Sequence, residues 1–522
     1  MSRGWDKVIP MYSRRSGVYA ALLVAVGAAL GPGCAVGPDF HRPKAPDNAG
    51  YAPAPLPERT AESDIHGGEA QHFSSGSELR FQWWESFQSP ALNALIAQSF
   101  KNNPSITAAQ ASLRQARELT YAQEGYFYPS VDSTYQFERH KISGNLTNDQ
   151  APGVQGDGHN LLPPLQNPDG PPFTAPLYYD FHTAEVSVGF VPDVFGSNRR
   201  QVESLAAQTQ GQLFALEATY ITLAANVAAA AIQEASLRAQ LQATRDIIEL
   251  NRKSLDVLLQ QFRLGQTMRI DVAAQEAALA QARAVLPPLE KQFEQTRDLI
   301  RALVGNLPNQ DLAETFTLDA LQLPRELPIS VPGKLIEQRP DVRAAEAQLH
   351  AVNAQVGVAV AAMLPQFSIT GSVGGNADEL PWLFRTGGSF WNLVSDVTQP
   401  VFHGGTLLHQ KRAAQEALKQ AAAQYRLTVI TAYQNVADSL HAVISDADAL
   451  TADREAEQAA KVTLDLTQRQ MEVGYINYLT LLSAQATYQQ ALVNRVQAQA
   501  ARYSDTVALF QALGGGWWNG GQ

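Results

Sequence analysis

Two proline-free stretches of equal length limit what this chain can fold into: 68 residues separate Gly196 from Gly265, and 68 again separate Gly405 from Gly474. At 1.5 Å per residue, each reaches roughly 100 Å as one helix. The mean helix of a globular protein is about 11 to 12 residues, so rods of this size exclude a compact enzyme fold. In the first stretch, Leu216, Tyr220, Leu223, Val227, Ala230, Glu234, Leu237, Leu241, Thr244, Ile248, Asn251, Leu255, Leu258 and Phe262 advance by alternating fours and threes. A sustained seven-residue period keeps one seam against neighbouring helices. The second stretch repeats it through Tyr425, Val429, Ala432, Val436, Val443, Leu450 and Leu464, with a wetter seam at Ser439, Asp446 and Asp453. The plain alternative is a solvated coiled coil that only spaces two objects.

The rods belong to a duplicated unit. Pro104, Ala108, Ala109, Leu113 and Pro129 recur 236 residues later as Pro340, Ala344, Ala345, Leu349 and Pro365, while Gly265 and Gly305 recur 209 residues later as Gly474 and Gly514. The offset shrinks because the first copy carries extra residues between His140 and Asp180, where "GVQGDGHNLLPPLQNPDGPP" reads as a long exposed loop. The first copy is placed at 81–310, a linker at 311–330, the second copy at 331–516 and a tail at 517–522. Residues 34–80, polar and proline-rich at first, read as an extended tether.

Beside each loop the pattern switches to two-residue alternation. A hairpin at about 130–191 puts Val131, Ser133, Tyr135 and Phe137 on one face of its first strand, and Val186, Val188 and Phe190 on one face of its second. A second hairpin at about 366–402 offers Phe367, Ile369 and Val373, then Trp391, Leu393 and Val397. Hydrocarbon does not tolerate open sheet edges, and four strands leave two edges where known barrels begin at about eight strands. Two chains would give eight strands and a filled interior; three would give twelve and a lumen, which is the preferred reading. The alternative is a small soluble sheet capped by the helices.

At the amino end, Arg14 and Arg15 precede an apolar run from Val18 to Leu30, then small residues before the only cysteine, Cys34. That layout predicts a secretory signal peptide over 1–33. A single cysteine excludes a disulfide within one chain. No later apolar stretch of about 18 residues is recognised, so no second segment is expected to span a membrane as a helix. "LGPGC" resembles the bacterial lipoprotein box, with Gly31 where leucine is usual. The resemblance implies a diacylglycerol on the Cys34 sulfur and an acyl chain on its freed amine; Ala35 next to it resembles lipoproteins sent on to the outer membrane. The formal charge is -11. Because 1–33 carries Arg3, Lys7, Arg14 and Arg15 against Asp6, a net +3, the remainder carries -14, which argues against a nucleic-acid partner. No histidine or cysteine cluster has metal-ligand spacing, and no phosphate loop or nucleophile elbow is present. No cofactor is expected beyond the covalent lipid.

The start "CAVGPDFHRP", the pair Trp83 and Trp84, "RPDVRAAEAQL" at 339–349, "QPVFHGG" at 399–405 and "VGYINYLTLLSAQ" at 473–485 resemble the outer-membrane efflux lipoproteins. These are the TolC-like partners of RND-type tripartite pumps, nearest to the OprM and NodT branch, and the resemblance covers essentially the whole mature chain. It implies a mostly α fold with a membrane β-barrel. In such a homotrimer four strands per protomer share a twelve-stranded barrel in the outer membrane of a Gram-negative bacterium, continuous with a long helical barrel in the periplasm. It also implies a periplasmic adaptor and an inner-membrane pump as partners, and passive conduction of small toxic compounds rather than catalysis. The competing functions are a type I protein-secretion duct, typically without a lipid anchor, and a lipid-anchored periplasmic scaffold without a pore. Arg263, Leu264, Gly265, Glu472, Val473 and Gly474 fall at the turns joining paired helices, the expected periplasmic tip and adaptor-docking positions. In related channels acidic side chains close the gate on the helix after the second turn. Here Thr480 and Ser483 stand there, and Asp271 after the first turn completes the candidate gate set.

Overall fold

The computed structural model describes residues 35–45, 50–53, 55–142, 177–473 and 475–519. The expected signal peptide, Cys34, most of the loop after the first strand of the sheet, Gly474 and the last three residues of the tail lie outside the described residues. In chain order the elements are β1 (His72–Ser75), α1 (Pro90–Asn102), α2 (Pro104–Glu124), β2 (Ser130–Ile142), β3 (Leu177–Phe190), α3 (Ser197–Arg263), α4 (Arg269–Leu303), β4 (Glu326–Ile329), α5 (Pro332–Gln338), α6 (Pro340–Ala361), β5 (Gln366–Ala377), β6 (Ser389–Thr398), α7 (Thr406–Glu472) and α8 (Tyr478–Ala512).

The run α2–β2–β3–α3–α4 returns as α6–β5–β6–α7–α8. Both α3 and α7 have 67 residues, both α4 and α8 have 35, and α2 and α6 have 21 and 22. Helix endings recur too. After α4 the Gly305 amide donates to Ala302 O (3.1 Å) and Asn306 to Arg301 O (2.8 Å); after α8, Gly514 donates to Gln511 O and Gly515 to Phe510 O, both at 3.0 Å. This is the Schellman pattern, which needs a left-handed residue, and Gly305 and Gly514 supply it at φ 79° and 92°. The copies differ at Pro287 and Pro288 inside α4, which remove two helix donors.

The chain divides into two compact units. The first comprises the described part of 1–39 with Glu118–Leu205 and Val352–Glu416, and holds an antiparallel sheet of order β2-β3-β5-β6. The first described residues are docked in this unit. Val36 N donates to Phe195 O (3.1 Å), and Arg200 donates to Val36 O (3.1 Å) while pairing with Asp39 (2.7 Å) and Glu203 (2.8 Å). A Cβ on Gly196 would lie 2.6 Å from Ala35 Cα, and one on Gly357 would lie 2.8 Å from Val36 O. Those two glycines therefore open the track for the chain.

The second unit, Phe40–Arg117, Ala206–Ala351 and Ala417–Gln522, contains the main apolar core. Trp83, Phe87, Leu92 and Ile96 pack with Val227, Ala228 and Ile232 of α3, Val436 and Val443 of α7, and Tyr503 and Phe510 of α8. Each fully buried side chain of this size stabilises by about 1.5–3 kcal/mol. The "RPDVR" motif works as a cap. Arg339 Nη1 donates to Ala512 O (2.9 Å), one of the orphan carbonyls ending α8, while Asp341 holds the same guanidinium at 2.7 and 3.0 Å.

Three expectations change. The proposed tether and linker pair with each other: β1 lies parallel to β4, His72 opposite Glu326 through Ser75 opposite Ile329. Fully buried Arg502 fastens the segment before β1, donating to Glu69 O (2.6 Å), Thr60 Oγ1 (3.0 Å) and Gly67 O (3.3 Å). The linker is likewise packed. Glu234 of α3, only 1% exposed, accepts from Phe316 N (3.1 Å) and pairs with Arg297 (3.3 Å) and with Arg238, whose guanidinium also holds Phe316 O. Finally, α3 does contain an 18-residue window of mean hydropathy 1.4, contrary to the expectation that no later stretch is apolar enough. Buried Ala224, Ala225, Ala228 and Ala231 identify a stretch used for close helix packing. The apolar positions of the second-rod seam are buried and its polar positions Ser439, Asp446 and Asp453 are half-buried, whereas Phe262 at the end of the first is exposed.

Candidate functional site

The sheet of the first unit is built with two different faces. Residues directly opposite one another share a face. Val131 opposes Val188, Ser133 opposes Val186 and Phe137 opposes His182; Val186 opposes Val373 and Phe190 opposes Ile369; Val373 opposes Trp391, Gly371 opposes Leu393 and Phe367 opposes Val397. These residues, apolar apart from Ser133 and His182, form one face, and Val131, Tyr135, Phe137, Val373, Trp391 and Leu393 are more than half exposed. The intervening residues form the other face, with Asp132, Thr134, Gln136, Thr183, Glu185, Ser187, Ser372, Asn376 and Asn392. Alternation alone produces this division.

β2 and β6 each have one neighbouring strand, so 13 residues of β2 and 10 of β6 present a free hydrogen-bonding edge among the described residues. Exposed aromatics lie beyond the strands: Tyr126 and Tyr128 before β2, Phe402 after β6, and Trp382 and Phe384 in the turn between β5 and β6. Such residues suit the boundary between hydrocarbon and water.

The helix turns form the other candidate region, inside the second unit. Gly265 (φ 72°) donates to Phe262 O (3.0 Å) and Gln266 to Gln261 O (2.9 Å). The counterpart bond after α7 runs from Tyr475 N to Gln470 O (2.9 Å), so this closing bond recurs at both turns; Gly474 itself is outside the described residues. Of the predicted tip residues, Arg263, Leu264 and Val473 are exposed; Glu472 ends α7, and its side chain is not described. Leu264 is 72% and Tyr475 85% exposed, with Met268 and Ile270 close behind.

Asp271 is half-buried and occupied: its Oδ2 accepts from Thr267 Oγ1 (2.9 Å) and Met268 N (3.3 Å), capping α4. Thr480, its counterpart 209 residues on, donates its amide and hydroxyl to Asn477 Oδ1 at 3.0 and 2.8 Å. Thr480 and Ser483 are exposed on α8. The sequence reading missed the tie that joins the two turns. Tyr478 donates its hydroxyl to Gln275 Oε1 (2.6 Å), and Gln275 Nε2 donates to the carbonyl (2.7 Å) and Oδ1 (3.0 Å) of Asn251. Around them Leu258 and Val272 pack against Leu464, Leu481 and Ala484. Burial pushes the Tyr478 hydroxyl up to about 12, so it remains a donor. Among the described residues no group of acidic, histidine and cysteine side chains could hold a metal ion.

Comparison with known proteins decides the family. The profile of the outer membrane efflux proteins matches residues 95–306 and 331–515. The chain belongs to the outer membrane efflux protein family. The two matched blocks correspond to the two copies of the duplicated run. A probable efflux pump outer membrane protein of Pseudomonas putida, TtgC, is 26% identical over 498 residues, covering 95% of this chain and 96% of the relative. The pyoverdine export outer membrane protein OpmQ of Pseudomonas aeruginosa is 26% identical over 469 residues, covering 90% and 94%. Among solved structures, the outer-membrane channel OprN superimposes with a TM-score of 0.78 at 26% identity, covering 93% of this chain and all of that one. The CmeC channel of Campylobacter jejuni gives 0.77 at 20% identity over 92% and 95%. As in those channels, the fold is mostly helical and TolC-like.

Proposed function

We propose that this outer membrane efflux protein is the passive conduit of a tripartite efflux system: a homotrimer in which three four-stranded sheets close one twelve-stranded barrel and the paired long helices continue it into the periplasm. The observation that carries this reading is the open sheet with one apolar face. In hydrocarbon each unpaired backbone group costs several kcal/mol, and β2 and β6 together present about a dozen outward-directed residues. The cost of leaving them open reaches tens of kcal/mol, and pairing β2 of one copy with β6 of the next removes it.

Other features take their places around that core. The apolar face meets lipid and the polar face lines the passage. Residues 35–39 dock within the unit that holds the sheet, which supports a diacylglycerol and N-acyl anchor on Cys34 at the membrane. The exposed Leu264, Met268, Ile270, Val473 and Tyr475 form an apolar docking surface for a periplasmic adaptor, with an inner-membrane pump beyond it. Asp271, Thr480 and Ser483 belong to the closing end, where Asp271 acts by shaping the first turn. The chain catalyses no reaction, and the pump supplies the energy. Relatives named for toluene, antibiotic and pyoverdine export support small toxic or exported compounds as cargo. Purified protein in planar bilayers is expected to give discrete conductance steps; a protein that binds membranes and never conducts would refute the conduit.

A further inference from the structure

The polar face of the sheet carries charge of one sign. Across the register, Asp132 lies level with Ser187, Ser372 and Asn392, Glu185 lies level with Thr134 and Gly374, and Asp396 lies opposite Ser368. Room is made for Glu185 in particular: a Cβ on Gly374 would sit 2.8 Å from the Glu185 Cβ. Glu138, further along the same face, is met by Gln136 and His140. In the strands His140 pairs with Glu138 and Arg139 with Asp180, and neither pair includes Asp132, Glu185 or Asp396. Alternation puts Arg139 and Lys141 on the apolar face, so no described lysine or arginine of the four strands shares a face with the three carboxylates.

At the helix turns the balance is different. Thr480 and Ser483 are uncharged, and the Asp271 carboxylate is engaged as a cap.

We infer that Asp132, Glu185 and Asp396 set the charge selectivity of the conduit, favouring cations over anions, and that the helix turns do not. The inference rests on the barrel reading above, which turns this face toward the lumen. Three such carboxylates in each of three chains make nine, with no lysine or arginine interleaved on that face among the described strand residues. Walls of low dielectric concentrate the field of like charges in a passage, and rings of acidic side chains select cations this way. Screening shortens the reach of the field from about 30 Å at 0.01 M salt to about 8 Å at 0.15 M, so selectivity weakens as salt rises.

The test is the reversal potential of single channels of the full-length protein under a potassium chloride gradient, with circular dichroism and oligomer size as folding controls. The parent is expected to pass K+ several-fold better than Cl−. The combined variant Asp132→Asn, Glu185→Gln and Asp396→Asn brings that ratio close to one, Glu185→Lys pulls it further toward Cl−, and Glu276→Gln, which removes an exposed carboxylate beside the first helix turn, leaves it unchanged. A parent that does not prefer K+, a triple variant with the parent's ratio, or selectivity abolished by Glu276→Gln overturns the assignment. Absence of any conductance refutes the conduit reading itself, and this assignment with it.

Discussion

Two adjacent residues of β3 allow a stringent test of which face meets lipid. Val186 opposes Ser133 and Val373, on the apolar face; Ser187 opposes Asp132 and Ser372, on the polar one. An arginine on the lipid face of a membrane barrel costs about 2–4 kcal/mol near the bilayer midplane. Three copies in one ring multiply this to roughly 6–12 kcal/mol. At about 1.4 kcal/mol per factor of ten, Val186→Arg shifts the insertion equilibrium by roughly four decades or more. Ser187→Arg places the same side chain beside the Asp132 carboxylate, in the aqueous passage, at little cost. The assay is the fraction of heat-resistant oligomer extracted from outer membranes, together with the guanidinium midpoint of folding into lipid vesicles. Val186→Arg is expected to abolish the oligomer and Ser187→Arg to retain it. Equal tolerance at both positions, or the reverse order, would refute the two-faced wall.

Three further outcomes follow from the packing. Glu234→Ala strands Arg238, Arg297 and the Phe316 amide around a buried site, at a cost of about 3–5 kcal/mol; it should lower the denaturation midpoint and open residues 311–330 to protease, with Glu234→Gln intermediate. Gly265→Ala meets no atom within 4 Å and loses only the left-handed preference, about 1 kcal/mol. Gly305→Ala adds a contact of 2.6 Å with Asn102 O and should shift the midpoint several-fold more. The Asp446 carboxyl is pushed up to about 7, first by burial and then by the Asp505 carboxyl hydrogen-bonded beside it. A carboxyl raised in the folded state contributes stability that is present below its unfolded value near 3.8 and is lost as pH rises through about 7. Because the group is partly solvated, the loss should amount to about 1–2 kcal/mol. Midpoints measured from pH 4 to 8 should fall in the parent and stay flatter in Asp446→Asn.

Long-period features were legible in the sequence, and contacts between distant short segments were not. Seven-residue steps and absent prolines were enough to place α3 and α7, because a helix of 67 residues repeats its signal many times. Two-residue alternation likewise located all four strands of the sheet. β1 and β4 have four residues each and sit about 250 positions apart, too short to show a period, so their segments looked like a tether and a linker. The tie of Tyr478, Gln275 and Asn251 had no internal echo: their counterparts 209 residues away are Arg269, Ala484 and Ala460. Asp271 was readable as a cap from its place three residues into a helix start, and the structure shows its carboxylate used in that way.

A single chain supplies only part of a wall, and copies close it. Single-particle imaging of the detergent-solubilised protein is the decisive measurement. Threefold symmetry is expected, with twelve strands around a lumen and β2 of each copy hydrogen-bonded to β6 of its neighbour. A monodisperse monomer whose β2 and β6 edges stay open, or pair within one chain, would contradict it.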